Sequence, residues 1–163
     1  MNAYELGRLL VPNDYYDFPD SDIVRALLTA NAHVDFRGSH TTPLINASRL
    51  GKIDAVHALL DAKAEVDLGN KKGIIPLIVS VCCGKIDVVR ALLEANADVN
   101  LACQRGRTPL HESSACNQID VVRAFLNANA DVNAVDKCGK TPLSLSRHID
   151  ITNALLAHVQ DTE

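Results

Sequence analysis

Four proline–leucine steps divide this chain at one fixed interval: Pro43, Pro76, Pro109 and Pro142 are each followed by Leu and recur every 33 residues. A period of roughly 20 to 50 residues marks stacked repeats, because a unit that small cannot bury its own apolar face and must borrow a wall from its neighbour. Two further landmarks keep the same beat. Ile53-Asp54, Ile86-Asp87 and Ile119-Asp120 each open a segment that ends in Leu59-Leu60, Leu92-Leu93 or Phe125-Leu126. Ala64-Glu65-Val66-Asp67, Ala97-Asp98-Val99-Asn100 and Ala130-Asp131-Val132-Asn133 follow, with Ala32-His33-Val34-Asp35 as an earlier copy.

Each repeat reads as two helices. Proline suits the first helical position, where its missing N–H is not needed, and Thr42, Thr108 and Thr141 then fall where a capping hydroxyl belongs. This short helix is expected to end near Gly51, Gly84 or Asn117, residue types that tolerate a left-handed backbone. A second helix starts near Asp54, Asp87 or Asp120, whose carboxylates favour the positive end of the helix dipole. It stops at Asn31, Lys63, Asn96 or Asn129. Lys63 is the misfit, carrying about 1 kcal/mol of strain in a left-handed conformation, which makes the second repeat a weak point. Aromatic residues are only 4% of the chain and Trp is absent, although hydrophobic residues reach 47%. The core must therefore come from Ala, Leu, Val and Ile, which let thin helical layers approach closely.

Thr108-Pro109-Leu110-His111, the run from Asp136 to Leu143 and the run from Leu92 to Asn100 resemble the ankyrin repeat family over about residues 21 to 158. The resemblance implies a single all-α domain, an ankyrin-repeat solenoid of stacked helix-turn-helix units with β-turn or hairpin loops. The central repeats are 36–68, 69–101 and 102–134, with a capping repeat at 1–35 and a shortened one at 135–163. Residues 3 to 10 read as a first helix, followed by an irregular stretch from Val11 to Asp20 containing Tyr15, Tyr16 and Phe18. In the final repeat the Leu-Leu pair arrives three residues early, and the deletion is placed between Ser146 and Ile149.

Catalysis and metal binding need side chains that converge, and a 33-residue stagger keeps them apart. Phosphate-loop, H-E-x-x-H and G-x-S-x-G motifs do not occur, so no catalytic residue, metal ligand or cofactor is expected. Cys82, Cys83, Cys103, Cys116 and Cys138 form no paired C-x-x-C framework; they read as reduced thiols. Cys83 and Cys116 are one repeat apart, about 10 Å, beyond the roughly 7 Å that a disulfide allows. No apolar run reaches the roughly 20 residues that span a bilayer, and the first residues lack a secretory pattern. The chain reads as an intracellular, cytoplasmic protein, with the nucleus as an alternative, monomeric when alone and not bound to a membrane. Its formal net charge of −4 disfavours nucleic acid as a partner.

The function expected from the resemblance is a non-catalytic protein-protein interaction module, an adaptor or inhibitor that binds through loop tips and the concave face of the short helices. Two candidate surfaces result. The tips carry Lys71, Lys72 and Ile74, then Gln104, Arg105 and Arg107, then Lys137, Cys138 and Lys140, a basic row with Asp136 as its one acid and an acidic protein surface as its natural partner. The exposed side of the short helices offers Asn46, Arg49 and Leu50, then Val79, Cys82 and Cys83, then Glu112, Ala115 and Cys116. The resemblance also implies that His111 makes hydrogen bonds between neighbouring loops, a network left incomplete by Ile45, Ile78 and Ser144. It further marks Asn100 and Asn133 as candidates for hydroxylation. A cysteine-based redox or enzyme-like role and a scaffold without natural partner are the alternatives.

Overall fold

The computed structural model describes residues 2–11, 18–38 and 41–160. Within them the protein is all-helical, with ten helices and no strand. The helices are α1 (Ala3–Leu9), α2 (Ser21–Thr29), α3 (Pro43–Leu50), α4 (Ile53–Asp61), α5 (Pro76–Cys82), α6 (Ile86–Glu94), α7 (Pro109–Ala115), α8 (Ile119–Asn127), α9 (Pro142–Leu145) and α10 (Ile149–Gln160). They fall into two compact units, residues 1–97 and 98–163.

In the first unit α1 pairs with α2, α3 with α4, and α5 with α6. Short helix α3 packs on short helix α5, while α2 packs on α4 and α4 on α6, so the unit has two helical layers. Between them lie Leu44, Val56, Leu59, Leu77, Val81, Val88 and Leu92, all at most 2% exposed. Each such Val or Leu contributes about 1.5–3 kcal/mol by leaving water. Phe36 joins this core at 7% exposure and meets Tyr4 edge-on, with ring centroids 5.0 Å apart. Tyr15 and Tyr16 of the irregular stretch lie outside the described residues.

The second unit repeats the scheme. Helix α7 packs on α8 and α9, and α10 packs on α8 and α9, around Leu110, Val121, Val122, Phe125, Ile151 and Leu155. Helix α9 has only four residues, and the extended Ser146 leads directly towards α10.

The helix signals act as their chemistry requires. Thr42, Thr108 and Thr141 accept hydrogen bonds from the N–H groups of Ile45, His111 and Ser144. Ile75 occupies the same position before α5 and makes no side-chain cap. Gly51, Gly84 and Asn117 follow the short helices with φ of 72°, 66° and 62°. Asn31, Lys63, Asn96 and Asn129 follow the long ones at 66°, 65°, 60° and 59°. Past each of these four, the next alanine N–H reaches back to a helix carbonyl: Ala32 to Leu27, Ala64 to Leu59, Ala97 to Leu92, and Ala130 to Phe125. That six-to-one bond is the Schellman closure, and it holds Lys63 in its unfavourable conformation.

Candidate functional site

Three loops carry the tip residues, one in the first unit and two in the second, and each is closed by the same pair of backbone bonds. Asn70 N–H donates to the Ile74 carbonyl (3.0 Å) and Gly73 N–H to the Asn70 carbonyl (2.9 Å). Cys103 and Arg107, with Gly106, repeat this at 2.9 and 2.8 Å, and Asp136 and Lys140, with Gly139, at 2.8 and 2.9 Å. The loops are miniature hairpins.

Side chains brace two of the three. Asn70 Oδ1 accepts from the N–H groups of Lys72 (2.9 Å) and Ile74 (3.1 Å). Asp136 Oδ1 does the same for Cys138 (2.8 Å) and Lys140 (3.0 Å). Cysteine stands at the equivalent position 103, where sulfur is a poor acceptor.

Asp136 also reaches the preceding tip. Its Oδ2 accepts from Arg107 Nε at 3.3 Å, and Arg107 Nη1 lies 3.5 Å from Glu112 Oε1 on α7. The Asp136 side chain is 2% exposed. The Lys140 N–H, followed by the Cys138 N–H and the Arg107 guanidinium, holds the Asp136 carboxyl below the usual aspartate range. Arg107 therefore departs from the sequence expectation: it is a half-buried tie between two carboxylates, not a projecting cation.

Two more bonds join the tips of the second unit. Lys137 N–H donates to the Arg105 carbonyl at 3.0 Å. Gly106 sits against this junction with φ of 74°, and a Cβ there would come within 3.0 Å of the Lys137 nitrogen, so both conformation and space call for glycine. His111, fully buried, lies beneath. Thr108 N–H donates to His111 Nδ1 (3.2 Å), so Nδ1 is the acceptor and Nε2 carries the proton that it donates to the Lys140 carbonyl (3.0 Å). The inter-loop bond implied for His111 is present.

Lys71, Lys72, Arg105, Lys137, Cys138 and Lys140 are exposed, and Ile74 is half-buried. The second candidate surface lies elsewhere. Leu50, Cys82 and Cys116 follow the first residue of their short helices by six or seven positions, about 9–10 Å along the axis. Arg49, Leu50 and Val79 are half-buried there, and Cys82, Cys83, Ala115 and Cys116 are exposed. Asn46 departs from the exposed position expected of it: it is 4% exposed, and its Oδ1 accepts from Arg49 Nη2 at 2.7 Å. None of the five cysteines is joined in a disulfide. Among the described residues, no group of three His, Cys, Asp or Glu is placed to hold a metal ion, and no helix is long and apolar enough to cross a membrane.

Asn100 is exposed, with Oδ1 accepting from Asp131 N–H (2.8 Å) and Nδ2 donating to the Asn129 carbonyl (3.4 Å). Asn133 is exposed, and its N–H donates to Asp131 Oδ1 (2.9 Å). Sequence reasoning missed Val135, 59% exposed at the foot of the last tip. The equivalent positions hold Ala102 and Gly69, so a lone large apolar residue there was the available signal.

The ankyrin repeat family in its three-copy form matches residues 16–103, and its many-copy form matches residues 92–146. The chain belongs to the ankyrin repeat family. Repeats of this family are generally protein–protein interaction modules and are typically non-catalytic. No curated protein matches the chain.

Proposed function

We propose that this chain is a non-catalytic binding module, an adaptor or inhibitor that acts by occupying a surface of another protein, with the loop tips as its main contact and the exposed ends of the short helices as a second. One observation carries this reading: all three tips are closed by backbone bonds, and two of them are braced by a side chain, before any partner arrives. Loops already held in one conformation lose little entropy on binding. Asn70, Asp136 and His111 supply that order, and the side chains left projecting from it are Lys71, Lys72, Arg105, Lys137 and Lys140.

Photo-crosslinking side chains placed singly at Lys72, Arg105 or Lys137, and in separate variants at His57, Arg90 or Arg123 on the long helices, test the assignment in cells. The reading expects one partner protein, identified by mass spectrometry, to be captured from the tip positions and not from the helix positions. Adducts of that protein formed only from the long helices would defeat it.

A further inference from the structure

The basic tip residues are not equivalent, and the difference defines a surface of one sign. In the second unit Asp136 is turned inward and satisfied by two N–H groups and Arg107, and the Glu112 side chain is only 17% exposed. Across residues 103–107 and 136–140, the exposed charged side chains are Arg105, Lys137 and Lys140, with no exposed carboxylate among them. The Lys137–Arg105 backbone bond of 3.0 Å sets the two turns side by side, so these cations leave from one short ridge. The chain as a whole carries −4, so the ridge opposes its average charge.

We infer that this ridge receives a carboxylate-rich, extended segment of the partner protein, a statement that rests on the binding-module reading and names the chemistry of what is bound. Alternate residues of an extended segment project to the same side about 6.5–7 Å apart, a spacing that side chains from adjacent turns can meet. Val135 adds exposed apolar area beside the cations, which suits a peptide better than a polyphosphate chain. Nucleic acid fits less well. Single-stranded binding draws on aromatic platforms, and residues 102–107 and 135–141 contain no aromatic residue. Three cations also release few counterions compared with the six to ten phosphate contacts, roughly, of a duplex-binding protein.

The test uses the full chain and a labelled oligoglutamate peptide, with oligoglutamine of the same length as the neutral control, followed by fluorescence anisotropy at low and high salt. The combined variant Arg105→Gln, Lys137→Gln and Lys140→Gln removes the ridge charge. All three side chains are exposed, so its melting temperature should match that of the parent. The control variant Arg25→Gln, Arg90→Gln and Arg123→Gln removes the same charge from the long helices. The expected result is binding of oligoglutamate alone, weakened about tenfold or more by the ridge variant and less than about twofold by the control. Absence of oligoglutamate binding, equal losses in the two variants, or tighter binding of a single-stranded oligonucleotide would overturn the inference. If tip crosslinking still captures a partner in that event, the module reading stands and only its acidic chemistry falls.

Discussion

Arg107 and Asp136 join neighbouring tips of the second unit, with Arg107 Nε donating to Asp136 Oδ2 at 3.3 Å while Oδ1 gathers the N–H groups of Cys138 and Lys140. One carboxylate thus closes its own turn and fastens the previous one. Asn70 closes its own turn in the same way.

Removing Asp136 therefore has two separable effects. Asp136→Ala loses both, and its melting temperature should fall by several degrees. Asp136→Asn keeps an Oδ1 acceptor as Asn70 does, and should fall by less. The pH dependence follows from the sign of the shift. Asp136 titrates lower in the folded chain than the value of about 3.9 for an unfolded aspartate. Its stabilisation is complete above that unfolded value and is lost as the pH falls through the folded one. The stability gap between the parent and Asp136→Asn, measured by urea denaturation, should be constant near neutrality and shrink below about pH 4.

Cys103 stands where Asn70 and Asp136 brace their turns. Cys103→Asp supplies an acceptor to the N–H groups of Arg105 and Arg107 and should add about 0.5–1.5 kcal/mol in denaturant unfolding. A neutral or negative change would show that this tip differs from the other two in more than its first residue.

Ser114 is 1% exposed, and its hydroxyl has no hydrogen-bond partner. Val81 fills the equivalent position of α5 with no exposure. Ser114→Val should raise stability by about 1 kcal/mol, by removing an unsatisfied polar group and adding apolar burial. Calorimetry showing a lower melting temperature would mean that the site has no room for the one further methyl group.

Lys63 holds φ of 65° at a helix end where the other copies have asparagine. Lys63→Gly relieves the Cβ conflict and should gain about 0.5–1 kcal/mol after the extra freedom of glycine in the unfolded chain is allowed for. The same substitution at Lys52, where φ is −79°, should be destabilising; the contrast between the two checks that backbone conformation is the cause.

Helix starts and stops were legible in the sequence because capping is local. A Thr-Pro pair sets a first turn within three residues, and an Asn or Lys at a fixed place after Leu-Leu marks the left-handed exit. The direction of a long side chain was not legible. Arg107 reads as one more tip cation until Asp136, 29 residues later, is brought beside it by stacking. Asn46 lies on a short helix whose exposed side could be counted from periodicity only to within one position, and neighbouring α5 covers its helix. The free ends of the short helices and the tips read as two candidate surfaces in the sequence, and the axial rise of each short helix keeps them apart.

The most direct test of the account is amide hydrogen exchange at Cys138, Lys140 and Lys137 in the free protein, followed by NMR. Donors held by Asp136 Oδ1 and the Arg105 carbonyl should exchange about a hundredfold or more slowly than in an unstructured peptide, and the Cys138 and Lys140 amides should lose that protection in Asp136→Ala. Exchange at unstructured rates in the parent chain would contradict a tip preformed for binding.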